Sequence, residues 1–167
     1  MTDGVRWSPR ERLARRVSAA SYGTILVLGA LVFVRADQVS SGLGWELVTG
    51  VGLATWVAHL YAEVLGDHVL TDTALNRSEL KRAMTDGLPI LLAAVPPATL
   101  LLLGRTGLLD PGTAVTTAVV VGLGQLVGLG ALIGALPSRG MARTWSYAAF
   151  TLLIGVVVVA LRLFLKH

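Results

Sequence analysis

The sequence predicts an all-α fold: a polytopic transmembrane helical bundle with about five spanning helices plus a short cytoplasmic amphipathic helix. The chain of 167 residues is 54% hydrophobic and only 14% charged, with a mean hydropathy of +0.71, whereas a soluble domain is about 25% charged. Its apolar segments are close to the ~20 residues that a helix needs to cross a bilayer. No alternation typical of strands is visible, so the spanning elements are expected to be helices.

Composition also excludes several kinds of site. The sequence contains no cysteine, which rules out disulfides, thiolate metal sites and cysteine nucleophiles. No Ser/His/Asp set and no phosphate-binding loop are recognisable, so we expect no enzyme activity. The net charge of +4 is carried at helix ends and in the N-terminal arm, which indicates topology and lipid contact instead of nucleic-acid binding.

The chain is predicted to consist of a basic arm and one membrane domain. Residues 1–16 carry five arginines and are expected to form a cytoplasmic arm. Within it, Ser8-Pro9-Arg10-Glu11 is typical of a helix start. Residues 17–167 form a single transmembrane domain, because a chain of 17.5 kDa makes one bundle.

The five spans are predicted at residues 17–34, 45–66, 88–104, 113–136 and 145–165. With the N-terminus in the cytoplasm, ten of the fourteen basic residues lie in cytoplasmic segments, the arrangement that the positive-inside rule favours. Almost all of them are arginine, a bias typical of a high-GC bacterial genome. The expected location is therefore the bacterial cytoplasmic (inner) membrane, and the valine-rich fifth span is expected to face lipid.

The polar connection between the second and third spans predicts the short amphipathic helix. Asn76-Arg77-Ser78-Glu79 resembles a capping box, and Leu80, Met84 and Leu88 follow on one stripe. We expect this helix to run into the third span along the membrane surface.

The third and fourth spans carry two further signals. Pro96 and Pro97 remove two backbone donors and predict a kink or break in the third span, a feature of plain kinks and of transporter binding sites alike. In the fourth span, Gln125 is expected to make an interhelical hydrogen bond or to line a pore. Small residues allow close helix packing, so the glycines of this span predict packing surfaces and a homo-oligomer; they are Gly124, Gly128, Gly130 and Gly134.

The strongest candidate for a functional site is a stripe on the second span. His59, Glu63 and Asp67 are spaced by four, which places them on one helix face. Antiparallel packing brings Ser18 and Tyr22 of the first span to the same depth. Ionisable residues are costly at membrane depth and call for partners, water or a function.

Three hypotheses fit this stripe. In the first hypothesis, hydrogen bonds within the cluster hold the first two helices together. In the second, the cluster lines an ion pathway for a cation or proton. In the third hypothesis, His59 and Glu63 hold a metal ion together with Asp67 or His68. Because histidine titrates near neutral pH, the site is expected to respond to pH near neutrality, whether His59 and Glu63 form a neutral or a charged pair.

The expected function is that of an oligomeric cation or proton channel or transporter that uses this stripe. The main alternative is a non-catalytic assembly or binding subunit whose partner is another protein or a lipid. A third alternative is an intramembrane metal-dependent enzyme. The only expected ligand is a cation, and the expected partners are the lipid bilayer and further copies of the chain, with no nucleic acid.

Overall fold

A computed structural model describes residues 8–71 and 77–134, together with positions 149, 153, 155–157, 160 and 164 of the last segment. Outside their short connections, residues 8–71 and 77–134 are helical, which confirms the all-α prediction. The helices in chain order are α1 (Pro9–Phe33), α2 (Ala36–Ser41), α3 (Leu43–Thr71), α4 (Arg77–Arg105) and α5 (Pro111–Gly134).

Four helices of this described part are long and apolar enough to cross a membrane, as a multi-pass membrane protein requires. Their qualifying segments are Glu11–Phe33, Leu43–Gly66, Leu80–Arg105 and Pro111–Leu132. They correspond to the first four predicted spans, so the count is four where the sequence predicted five.

Most of the predicted fifth span, residues 145–165, lies outside the described residues, and its crossing stays a prediction. One described position there is the buried Gly155, where a Cβ would lie 2.5 Å from Cδ2 of Leu123 on α5. The six other described side chains are exposed, as expected of a lipid-facing helix: Ala149, Leu153, Val156, Val157, Ala160 and Phe164.

Helix α1 begins where the sequence predicted a helix start. Ser8 Oγ accepts a hydrogen bond from the Glu11 N–H, and Glu11 Oε2 accepts one from the Ser8 N–H at 2.7 Å. The helix then continues to Phe33, so residues 9–16 of the predicted arm are the first two turns of the spanning helix. No helix breaker separates Arg10 from Val17, since arginine, leucine and alanine all favour a helix.

The predicted short amphipathic helix is likewise the beginning of a longer one. Residues 77–87 form the first turns of α4 and pass into the third span without a break. Met84 and Leu88 are exposed, while Asn76, the predicted cap, lies outside the described residues. The connector is therefore not a separate element.

Helix α4 lies at the centre of the bundle and contacts α1, α3 and α5. It runs through Pro89, Pro96 and Pro97, so the predicted break is replaced by a continuous helix. The prolines sit among small side chains that pack tightly, and Ala93, Ala94 and Ala98 are all buried. Tight packing with neighbouring helices is what allows proline to remain in a membrane helix.

A tight corner joins α1 to α3 at the opposite end from the α4 N-terminus. Helix α2 ends at Gly42, whose φ of 93° lies in the left-handed region that favours glycine. The Arg105 guanidinium packs here, 2.9 Å from the position that a Gly42 Cβ would occupy. The main hydrophobic core lies towards this end and includes Leu31, Val39 and Leu101.

Candidate functional site

A polar cavity of about 550 Å³ opens where the start of α1, the end of α3 and the start of α4 meet. Its lining residues are Arg15, Ser18, Ala19, Tyr22, His59, Ala62, Glu63 and Asp86. We call it the polar cavity. Four of the predicted site residues line it together: Ser18, Tyr22, His59 and Glu63. Asp67 lies on α3, one turn further along, and its side chain is outside the described part of the chain.

Glu63 is the central group of the polar cavity. Its Oε1 accepts a hydrogen bond from Arg15 Nη1 at 3.0 Å, which ties α3 to α1. Its Oε2 lies 3.7 Å from His59 Nε2, one helical turn away. This second oxygen is buried and has no hydrogen-bond partner among the described residues. A proton on His59 or on Glu63 would supply the missing interaction.

Sequence reasoning assigned Arg15 only to the basic arm and missed its place in the site. The signal was helical phase, since Arg15, Ser18 and Tyr22 follow one another at spacings of three and four and share a helix face. Extending α1 back to Pro9 would have placed Arg15 beside Glu63.

Asp86 was also missed. It lies 4.0 Å from Arg16 Nε and 3.8 Å from Arg82 Nε, which links α1 to α4 at the depth of the polar cavity. The spacing of Arg82 and Asp86 by four residues was a local signal for this pair. No sequence pattern indicated that Arg16 would approach Asp86 from another helix.

Gly87 brings α4 close to α3 beside His59. A Cβ at Gly87 would lie 3.3 Å from His59 Cδ2 and 3.1 Å from Trp56 Cδ1. Trp56 Nε1 also donates to the carbonyl of Met84 across 3.4 Å. The His59 ring is therefore held between two helices.

Directly beyond the residues that line the polar cavity, α1 and α4 approach each other closely through their main chains. A Cβ at Gly23 would lie 2.9 Å from Cα of Ile90, and Ile90 is fully buried. We call this contact the floor. Because Tyr22 precedes Gly23 and Asp86 lies one turn before Ile90, the floor directly follows the cavity lining.

A second polar contact lies deeper in the bundle, at Gln125. Its Nε2 donates to the carbonyl of Ala93 at 3.4 Å, so Gln125 makes an interhelical hydrogen bond with α4. Its Oε1 is buried with no hydrogen-bond partner in the described residues. Gln125 is not among the residues lining the polar cavity.

The four glycines of α5 that were predicted to pack differ in their surroundings. Gly124 and Gly128 are exposed, and a Cβ at either one would meet no described atom within 4 Å. Gly130 is buried. Gly134 ends the helix, and its surroundings lie outside the described part.

The metal hypothesis gains no third ligand from the described side chains. Among them, no group of three or more His, Asp or Glu residues is placed to hold a metal ion. His59 and Glu63 alone fall short of the four ligands of a closed zinc site, and Arg15 already occupies one oxygen of Glu63. The side chains of Asp67 and His68 lie outside the described residues.

A larger cavity of about 1010 Å³ lies at the opposite end, between α1 and α5. Three of the polar contacts in its lining are local. Arg35 Nη2 lies 2.7 Å from Asp37 Oδ2, Asp110 caps α5 by accepting from the Thr113 N–H, and Thr116 donates to the carbonyl of Gly112. Its lining therefore differs from the polar cavity, where the ionisable groups bridge separate helices.

The fold and the site define a class: a multi-pass α-helical membrane protein with a cluster of ionisable side chains at one end of the bundle. Comparison of the chain with known protein families, curated proteins and solved structures finds no match in any of the three. Function is accordingly argued from the polar cavity itself.

Proposed function

We propose that the protein carries protons or another cation across the membrane, as an oligomeric channel or transporter that uses the polar cavity. The observation that carries the proposal is the position of His59, Glu63 and Asp86 around one cavity of about 550 Å³. All three lie inside segments that are apolar enough to span a membrane. Ionisable residues are rare and costly there, and they mark ion pathways and proton relays.

The ion pairs around the cavity favour a proton over a metal cation. Arg15 pairs with Glu63, and Arg16 and Arg82 pair with Asp86, so the carboxylates that a metal cation would need already have cationic partners. A proton needs no set of free ligands. It exchanges between His59 and Oε2 of Glu63, the oxygen that has no hydrogen-bond partner among the described residues.

The proposed orientation places this end of the bundle in the cytoplasm of a bacterial inner membrane. Support comes from the basic residues at the start of α1 and of α4, since cytoplasmic ends of spanning helices carry most Lys and Arg. The exposed Gly124 and Gly128 offer a close-packing surface to a second copy, which supports the oligomer. Replacing both with isoleucine is expected to lower the oligomeric state in detergent, measured by light scattering.

The proposal is tested by proton flux into liposomes that hold the purified protein and a pH-sensitive dye, driven by a potassium diffusion potential. Glu63→Gln and His59→Gln are expected to reduce the flux by about a hundredfold or more, the scale of one lost proton-transfer group. Glu46→Gln is the matched control, because Glu46 is an exposed acid at the other end of the same helix. A wild-type flux equal to that of empty liposomes contradicts the proposal.

A non-catalytic assembly or binding subunit is the second candidate, and the ion pairs favour it. Arg15–Glu63 and Arg16–Asp86 tie α1 to α3 and α4, which is the arrangement of a structural clamp. In that case Glu63→Gln lowers thermal stability, the wild type shows no flux, and a membrane partner copurifies in stoichiometric amount.

A further inference from the structure

We infer that the hydroxyl of Thr55 binds a water molecule beside His59, which extends the polar cavity by one helical turn along α3. Thr55 precedes His59 by four residues and therefore lies on the same helix face. His59 is the deepest residue that α3 contributes to the cavity lining. The water site itself does not depend on transport, and only its use as a proton carrier rests on the proposed function.

Thr55 is one of two polar side chains that are buried in the described part of the chain, the other being Thr24. Thr24 lies inside α1, where its hydroxyl donates to the carbonyl of Ala20 at 2.8 Å. A bond to the preceding turn is a common way for threonine to satisfy its hydroxyl inside a helix. Thr49 and Thr99 make the same bond in α3 and α4.

The hydroxyl of Thr55 makes no such bond, and it has no other hydrogen-bond partner among the residues that the structure describes. It is not sealed off either. The side-chain atoms that are both enclosed and unpartnered in the described residues belong to Glu63 and Gln125, so the Thr55 hydroxyl keeps some accessible surface. A buried polar group without a partner is costly, and a small accessible space beside it favours an ordered water.

The His59 ring supplies a second polar partner for this water, since a buried water needs at least two. Its Nε2 faces Oε2 of Glu63 at 3.7 Å, and the imidazole has a second nitrogen for another hydrogen bond. Side chains four residues apart on a helix have Cβ atoms about 5–6 Å apart. The short threonine side chain therefore reaches the imidazole through one bridging water.

Thr55 lies at the level of the floor. The ion pair between Arg15 and Glu63 joins α1 to α3, and eight residues along each antiparallel helix from this pair lead to Gly23 and to Thr55. At this level α1 and α4 are in close main-chain contact, whereas α3 carries a hydroxyl. The polar groups of α3 thus continue past the cavity lining on the side away from that contact.

The bound water completes a chain of hydrogen-bonding groups that consists of Glu63, His59, the water and Thr55. Proton transfer in proteins runs through positioned side chains and water. The next residues on this face of α3 are Gly52 and Val48, and Val48 is part of the hydrophobic core. Thr55 is therefore the inner end of the polar groups on this face of α3.

Water-edited solid-state NMR of the 13C-labelled full chain in lipid bilayers tests the water site. The Cβ of Thr55 is expected to receive magnetisation from water about threefold faster than the Cβ of Thr24, because a bound water lies within hydrogen-bond distance of Thr55. Thr24 is the matched internal control, since it is buried at nearly the same depth. Thr55→Val identifies the Thr55 signal by its disappearance, and the exposed Thr106 marks the fast limit. Equal rates for Thr55 and Thr24 overturn the inference.

Proton flux into liposomes tests whether this water carries the proton. Thr55→Val keeps the shape of the side chain, and because no hydrogen bond within the described protein is lost, it is expected to keep the wild-type melting temperature. It is expected to lower the flux by about a hundredfold, the scale of one lost proton-transfer step. Thr55→Ser keeps the hydroxyl and Thr24→Val removes the other buried one, and both are expected to retain the flux.

An unchanged flux in Thr55→Val overturns the role of the water as a proton carrier. Fast magnetisation transfer to Thr55 in a wild type without proton flux supports the water site and contradicts the proposed function instead. The two experiments therefore separate failure of this inference from failure of proton transport.

Discussion

Gln125 donates its side-chain amide to the carbonyl of Ala93, and Ala93 is the residue whose carbonyl loses its helical donor to Pro97. In an α-helix that carbonyl would accept from the N–H four residues later, and proline has no N–H. Lipid offers no replacement, so an unsatisfied carbonyl is costly there. The polar side chain of α5 therefore compensates for a proline in α4.

Gln125→Leu is expected to destabilise the bundle by about 1 kcal/mol, the scale of an interhelical hydrogen bond in a membrane. In a Pro97→Ala background the backbone N–H returns, so the cost of Gln125→Leu is expected to fall to about half or less. Reversible unfolding of the four proteins in mixed micelles measures this coupling. An equal cost in both backgrounds would show that the carbonyl does not depend on Gln125.

Gly23→Ala is expected to destabilise the protein by about 1–3 kcal/mol, the usual cost of forcing a side chain into a packed contact. Its Cβ would lie 2.9 Å from the main chain of Ile90, which cannot rotate away. Gly29→Ala on the same helix is the control, since a Cβ there meets no described atom within 4 Å. Thermal unfolding in detergent should separate the two variants, and equal melting temperatures would contradict the contact.

Arg15→Gln is expected to cost about 1–2 kcal/mol near neutral pH, between the values for exposed and buried ion pairs because Arg15 is half exposed. Among the described residues, the variant leaves the Glu63 carboxylate with His59 as its remaining ion-pair partner. Chemical unfolding measures the difference from the wild type, and Glu63→Gln should abolish the effect of Arg15→Gln.

A hydrogen bond from Arg35 holds the pKa of Asp37 below its ordinary value of 3.8. Because the folded pKa is the lower one, the pair stabilises the fold at pH above 3.8, and this contribution is lost as the pH falls through the folded pKa. An NMR titration of the Asp37 carboxyl carbon in micelles should show the lowered pKa. In Arg35→Gln it should return towards the ordinary value, and an unchanged pKa there would exclude Arg35 as the cause.

Helical periodicity was sufficient to find half of the candidate site. It placed His59 and Glu63 on one face, and antiparallel packing then brought Ser18 and Tyr22 to their depth. Arg15 was missed because the positive-inside rule accounts for arginines by topology alone, and Asp86 was missed because its contact with Arg16 joins two different helices. A charged side chain contacts one neighbouring helix or another depending on the angles at which the helices pack. A spacing of three or four residues along one helix does not encode these angles.

The prolines of α4 show the same limit, that contacts between helices are not encoded in local sequence patterns. The sequence indicates correctly that Pro96 and Pro97 remove donors from α4, and the expected result was a kink or break. The helix runs through both prolines without a break, next to two features: the Gln125 amide, which is distant in the chain, and the buried alanines around Pro97. The predicted fifth span, residues 145–165, remains a prediction from hydropathy.

The floor of the polar cavity sets a time scale for any passage beyond it. A gate made of side chains opens by rotamer changes within nanoseconds, but the contact between Gly23 and Ile90 is main chain against main chain and has no rotamer to change. The contact would open only if α1 moved away from α4. Such helix movements take microseconds to milliseconds, so a path that ran between these two helices would open no faster than the helices separate.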